Sequence, residues 1–200
     1  MSIHIDGIPT ALPGTTLGEL VLAAQQRLEP SGRVVVEVTL NDQPIVGNEL
    51  AARQHEAVGT RVVKLTTADP KELVIDTLGE ISRHLNQAGE LQNEAADLLQ
   101  RDKEKDALGK ISDAMSIWQQ TEEAVRHSAA MLSISLDTMT IDGQPFAAMT
   151  ENLVQQLGGL RDLIKAHDTV GLADALAYEW PATVKKWQRM IELFVAKIQE

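Results

Sequence analysis

Asp69-Pro70-Lys71-Glu72-Leu73-Val74-Ile75-Asp76-Thr77-Leu78, continued by Ile81 and Leu85, divides this chain in two. Aspartate offers a side-chain acceptor at the helix N-cap, and proline occupies the first helical position, where its missing N–H costs nothing. An acidic residue follows at the third. From there Val74, Leu78, Ile81, Leu85, Ala88, Ala95 and Leu99 fall on one apolar stripe, which predicts a long amphipathic helix beginning at Pro70.

The polar run from Gln100 to Asp106 interrupts that stripe. A second runs through Ala107, Ile111, Ala114, Trp118, Val125, Ala129, Leu132 and Leu136, and Asp142-Gly143-Gln144-Pro145 ends it. Phe146, Leu153, Leu157, Leu160 and Ile164 form a third, and Asp168 or Thr169 can cap a fourth helix. At about 100° per residue, Leu172, Leu176, Trp180, Val184, Trp187, Ile191, Phe194 and Ile198 cluster about one direction. Both tryptophans are thereby predicted to be core, Tyr178 to be exposed, and Pro181 to bend the helix near it. Four amphipathic helices with short connections pack most simply as an up-down-up-down bundle. Completion of the bundle by a second copy, as a homodimer, is the alternative.

Upstream, Ile3, Ile5 and Ile8 flank Asp6-Gly7, a pair suited to a two-residue hairpin turn of the primed type. Thr15 or Thr16 caps a helix carrying Leu17, Leu20, Val21, Ala24 and Leu28, which ends at Pro30-Ser31-Gly32. Val34, Val36, Val38 and Leu40 alternate, Asn41-Asp42 offers a second turn before Pro44-Ile45-Val46, and Arg61 to Thr67 forms a last strand with Val63 and Leu65 on one side. This order of two strands, a helix and further strands resembles the β-grasp, or ubiquitin-like, fold. Relatives of that fold that act as carriers use a free diglycine C-terminus. Here the last strand runs into Thr67-Ala68-Asp69-Pro70, so the resemblance implies the fold's other common role, a protein-binding sheet. The expected class is therefore α+β, with a β-grasp-like domain over residues 1–68 and a four-helix bundle over 69–200.

The formal charge of −11 is unevenly placed: residues 1–68 hold 5 Lys/Arg against 7 Asp/Glu, and residues 69–200 hold 13 against 22. An acidic surface repels phosphate backbones and anionic lipid, so neither nucleic acid nor membrane is an expected partner. Another protein is. Cysteine is absent, which removes disulfides, thiolate catalysis and thiolate-bound zinc. The start, Met1-Ser2-Ile3-His4-Ile5-Asp6, lacks the basic and apolar regions of a secretory signal, and no run of 18 apolar residues occurs, so a cytoplasmic setting is expected.

Two polar residues interrupt the stripes. Glu122 sits about 40° from Trp118 in the second, and Arg161 borders the third. If the second and third helices turn back near Asp142, both lie at the same height and can pair, either to fix register or to frame a polar pocket for a small ligand or metal. Metal spacings are weaker. Glu80 with His84 and Glu123 with His127 are four apart, whereas carboxylate-bridged di-iron bundles use Glu-x-x-His. His167 beside Asp168 reads as part of a cap. Gly158-Gly159 lacks the strand and spacing of a phosphate loop and reads as close helix packing or a kink. Catalytic constellations are missing, so no cofactor and no enzymatic activity are expected.

One pattern recurs: Ile5-Asp6-Gly7-Ile8-Pro9, Leu40-Asn41-Asp42-Gln43-Pro44 and Ile141-Asp142-Gly143-Gln144-Pro145. Turn chemistry alone produces it, and the third copy is expected to join helices. The composite expectation is a non-enzymatic protein-interaction or scaffold protein. Its candidate contacts are the open sheet edge and the acidic bundle faces around Glu90, Glu94, Asp97, Glu123 and Tyr178. A ligand-binding bundle and a self-associating structural protein are the alternatives.

Overall fold

The computed structural model describes residues 2–200, which form two units, one ending at Leu73 and one running from Val74 to Glu200.

In the first unit, Asp6 and Gly7 adopt φ of 50° and 78°, the left-handed pair that a tight primed turn requires. Strand β1 (Ser2–Ile5) therefore folds back on β2 (Ile8–Pro9), with Ile5 opposite Ile8. Thr16 caps α1 (Leu17–Leu28): its hydroxyl accepts the Glu19 N–H at 3.4 Å, while Glu19 Oε2 accepts the Thr15 and Thr16 N–H groups at 2.7 and 3.2 Å. Those donors hold the Glu19 carboxyl below its ordinary pKa. After β3 (Val34–Leu40), Asn41 and Asp42, both at positive φ, turn the chain into β4 (Gln43–Ile45). A single helical turn, α2 (Glu49–Ala52), leads to β5 (Val62–Ala68). The strand order is β2-β1-β5-β3-β4, with β1 and β5 parallel and every other pair antiparallel. Ile3, Ile5, Val38, Leu40, Val63 and Leu65 bury their side chains with Leu17, Leu20 and Ala24 of α1. The alternation expected for β3 holds only at its end. A bulge between Val35 and Glu37 shifts the register, so Val35 packs on the core and Val36 is exposed.

The second unit is helical: α3 (Pro70–Leu99, which begins in the first unit), α4 (Glu104–Met131), α5 (Phe146–Lys165), and a run made of α6 (Thr169–Asp174), one π-helical turn (Ala175–Glu179) and α7 (Trp180–Gln199). Asp69 Oδ1 accepts the Lys71 N–H at 2.8 Å, as the opening motif requires. All seven stripe residues of α3 are buried. The centre of the unit is aromatic. The Trp118 ring lies 5.4 Å from Trp180 and 5.8 Å from Trp187, and Phe146 lies 6.1 Å from Trp187. Buried Gln92 enters this cluster, its amide oxygen facing the Trp118 indole N–H at 3.1 Å and its nitrogen the Ala88 carbonyl at 3.3 Å. Cross-helix pairs fix the register. Glu94 meets Lys110, Asn86 meets Gln188, Gly89 faces Val184, and Gln156 meets Thr183.

Two expectations about the α4–α5 connection are corrected. Helix α4 ends at Met131, so Leu132 and Leu136 lie outside it and are only half-buried. Asp142-Gly143 does not join helices: with φ of 50° and 79° it joins β6 (Thr140–Ile141) to β7 (Gln144–Pro145). All three copies of the recurring pattern are thus the same hairpin, with a hydrophobe before the turn and a proline second after it.

Candidate functional site

A groove of about 790 Å³ lies between α5 and the run from α6 through the π turn to Trp180. Along α5 its wall is Asn152, Gln155, Gln156, Gly159, Asp162, Leu163 and Ala166, residues three and four apart and so on one helix face. The opposite wall is Gly171, Asp174, Ala175 and Glu179, and buried Leu160 and Trp180 reach its base. The carbonyl of Ala175 accepts the N–H of Trp180, five residues on, which makes this turn wider than an α-helical one. Pro181 follows immediately and has no N–H to donate. Tyr178, within this turn, is 76% exposed and precedes the groove-lining Glu179.

Two glycines shape the groove. A Cβ at Gly159 would meet nothing within 4 Å, and the same is true of Gly158. Close packing, one of the two expected reasons, therefore does not explain this pair; Gly159 leaves the groove open. Gly171 is different. A Cβ there would lie 2.6 Å from Asp168 Oδ2 and 2.9 Å from Leu163 Cδ2, because Asp168 caps α6 by accepting the Gly171 N–H at 2.9 Å. Gln156 accepts a hydrogen bond from the buried Thr183 hydroxyl at 2.8 Å, which fixes one wall. The side chains of Asn152, Gln155, Asp174 and Glu179 make no hydrogen bond or ion pair among the described residues, and the groove lining contains three carboxylates and no cation.

The expected core pair of Glu122 and Arg161 does not form. Glu122 pairs with Arg126 one turn along its own helix, and exposed Arg161 bonds Asp162 at 3.1 Å. The chain does not turn back at Asp142 alone: Glu122 lies nine residues before the end of α4 and Arg161 fifteen after the start of α5. That offsets them by about 9 Å at 1.5 Å per residue. Exposed Glu123 accepts from Gln119 at 3.1 Å and not from His127. Glu94 pairs with Lys110 at 2.6 Å, which raises that ammonium's pKa. Glu90 faces a different groove, between α3 and α7, with Lys185. None of the candidate contacts lines the larger groove; Tyr178 is the residue before the lining Glu179. His167 lies 3.7 Å from Glu104, and no group of three metal-ligating side chains occurs among the described residues.

The sheet edges carry their own protection. Each outer strand is two or three residues long and contains a proline, Pro9 in β2 and Pro44 in β4. Proline offers no N–H to an incoming strand, so the open-edge contact is disfavoured. Elsewhere in the first unit, Glu56 bonds Arg53 at 2.6 Å and also Arg61, and these guanidiniums hold its carboxyl down at about 2.

The chain belongs to a family whose model, described as a domain of unknown function (DUF8042), matches residues 76–190. Every residue that lines the larger groove lies inside that span. No curated protein and no solved structure matches the chain. No helix among the described residues is long and apolar enough to cross a membrane.

Proposed function

We propose that this chain is a non-enzymatic protein-binding or scaffold protein, and that the groove between α5 and the α6–α7 run is its contact surface. One observation carries the reading: a wide groove with an apolar base and a polar rim on which the side chains of Asn152, Gln155, Asp174 and Glu179 have no partners among the described residues. The architecture behind this reading is a β-grasp domain followed by an up-down-up-down bundle. A parallel β1–β5 pair at the centre of a five-stranded sheet with one helix on it supports the first. The cross-helix pairs support the second. Asn86 with Gln188 and Gly89 with Val184 run α3 against α7, while Glu94 with Lys110 and Gln92 with Trp118 run α3 against α4. Phe146 with Trp187 and Gln156 with Thr183 run α5 against α7.

Gly159→Trp fills the groove at a position where added atoms meet open space, and Gly109→Trp places the same ring at an equally open site on α4. Affinity capture from the source cells, compared among wild type and the two variants with fold checked by circular dichroism, tests the proposal. Loss of the same captured proteins in Gly159→Trp alone is the expected result. Capture unchanged by Gly159→Trp would refute the groove as the contact.

A further inference from the structure

We infer that the occupant of this groove is an amphipathic helix of a partner protein that carries lysine or arginine beside its apolar stripe; this rests on the protein-binding reading above. Length comes first. The wall along α5 runs from Asn152 to Ala166, fourteen residue steps or about 21 Å, which matches about four turns of a helix laid along it. Small residues come second. Gly159, beside which an added Cβ would meet nothing within 4 Å, and Ala166 on one wall and Ala175 on the other leave room for an incoming backbone to approach closely, and Leu163 offers apolar surface between them. Charge decides the class. Asp162, Asp174 and Glu179 line the groove with no lysine or arginine among the lining residues, and Asp174 and Glu179 have no ion pair within the chain. An acidic or neutral helix would leave those carboxylates facing like charge or desolvated without a partner, whereas cations flanking the stripe complement them. Tyr178, 76% exposed next to Glu179, adds an aromatic face on which an arginine or lysine can rest.

Two synthetic 18-residue helical peptides test this, both with leucines at three- and four-residue steps, one flanked by lysines and the other by glutamates. Titration into the ¹⁵N-labelled full chain is read as amide shifts and a Kd. The lysine peptide is expected to shift residues 152–180 and the glutamate peptide to leave them unchanged. Asp174→Lys with Glu179→Lys should weaken the lysine peptide by about tenfold or more, while Glu90→Lys with Asp97→Lys, the same change in net charge on α3, should weaken it less than about twofold. Equal weakening by both pairs, shifts outside 152–180, or equal binding of both peptides would overturn the assignment. If both peptides fail to bind while Gly159→Trp still abolishes capture of native proteins, the cationic-helix inference falls and the protein-binding reading stands. If Gly159→Trp also leaves capture intact, both fall.

Discussion

Gln92 and Trp118 form the polar link inside an otherwise apolar core, and breaking it from either side has a calculable signature. Trp118→Phe shrinks a ring that is 1% exposed and strands the Gln92 oxygen. The lost volume is worth about 1.5 kcal/mol and the orphaned acceptor about 1.5 more. Gln92→Leu orphans the indole N–H instead and costs about 1.5 kcal/mol. The double variant orphans neither group, so mainly the volume term remains and its loss should be about 1.5 kcal/mol, smaller than the sum of the single losses by about 3. The assay is specific because all three tryptophans lie in the second unit, so urea unfolding followed by tryptophan fluorescence reports that unit alone. Trp180 and Trp187 keep the signal in the Phe variants. Additivity within about 0.5 kcal/mol would refute the hydrogen bond and with it the packing of α3 against α4 at this height.

Gly158→Ala should stabilise the helical unit by about 0.5 to 1 kcal/mol, since its Cβ meets open space in the middle of α5; a destabilised variant in the same urea assay would contradict the geometry. Gly18→Ala should do the reverse, by about 1 to 2 kcal/mol, because its Cβ would lie 2.9 Å from the Gln54 carbonyl oxygen, and amide exchange in the first unit would show it. Gly143→Ala, at φ +79°, should cost about 1 kcal/mol and raise exchange at Ile141 and Phe146. The first unit should lose stability as pH falls. The folded pKa of Glu56 is depressed to about 2 and that of Glu19 is also lowered, so their contribution is complete above the unfolded carboxyl pKa of about 4.3 and disappears as pH drops toward 2. Amide exchange that does not change between pH 5 and pH 2.5, after correction for intrinsic rates, would contradict this.

Much of the architecture is legible in the sequence. The helix start at Asp69-Pro70, the apolar stripes, the buried Trp180 and Trp187, exposed Tyr178 and the Asp6-Gly7 turn all follow from local rules: cap chemistry, a 3.6-residue period and tolerance of positive φ. Failures occurred where a reading needed distances between segments. Matching Glu122 with Arg161 depends on where the chain turns, and the hairpin Thr140–Pro145, with the short helical turn before it, takes up residues that periodicity assigns to helix. The groove was invisible for a related reason. Its α5 wall is mostly amides, glycine, alanine and an aspartate, which periodicity assigns to solvent, and its other wall belongs to a separate helical segment beginning at Gly171. Pro181 signalled a distortion, but not that Ala175–Glu179 would widen into a π turn. The bulge at Val35–Glu37 likewise left no mark in an unbroken run of valines.

The central claim, that this groove is where another protein sits, is tested most directly by placing a photoreactive benzoylphenylalanine at Asn152 in the groove and, separately, at exposed Gln100 outside it. Irradiation in the source cells should give discrete adducts from position 152 that vanish when Gly159→Trp is added, with none of the same mass from position 100. Adducts at both positions, or adducts at 152 that survive the filled groove, would contradict the account.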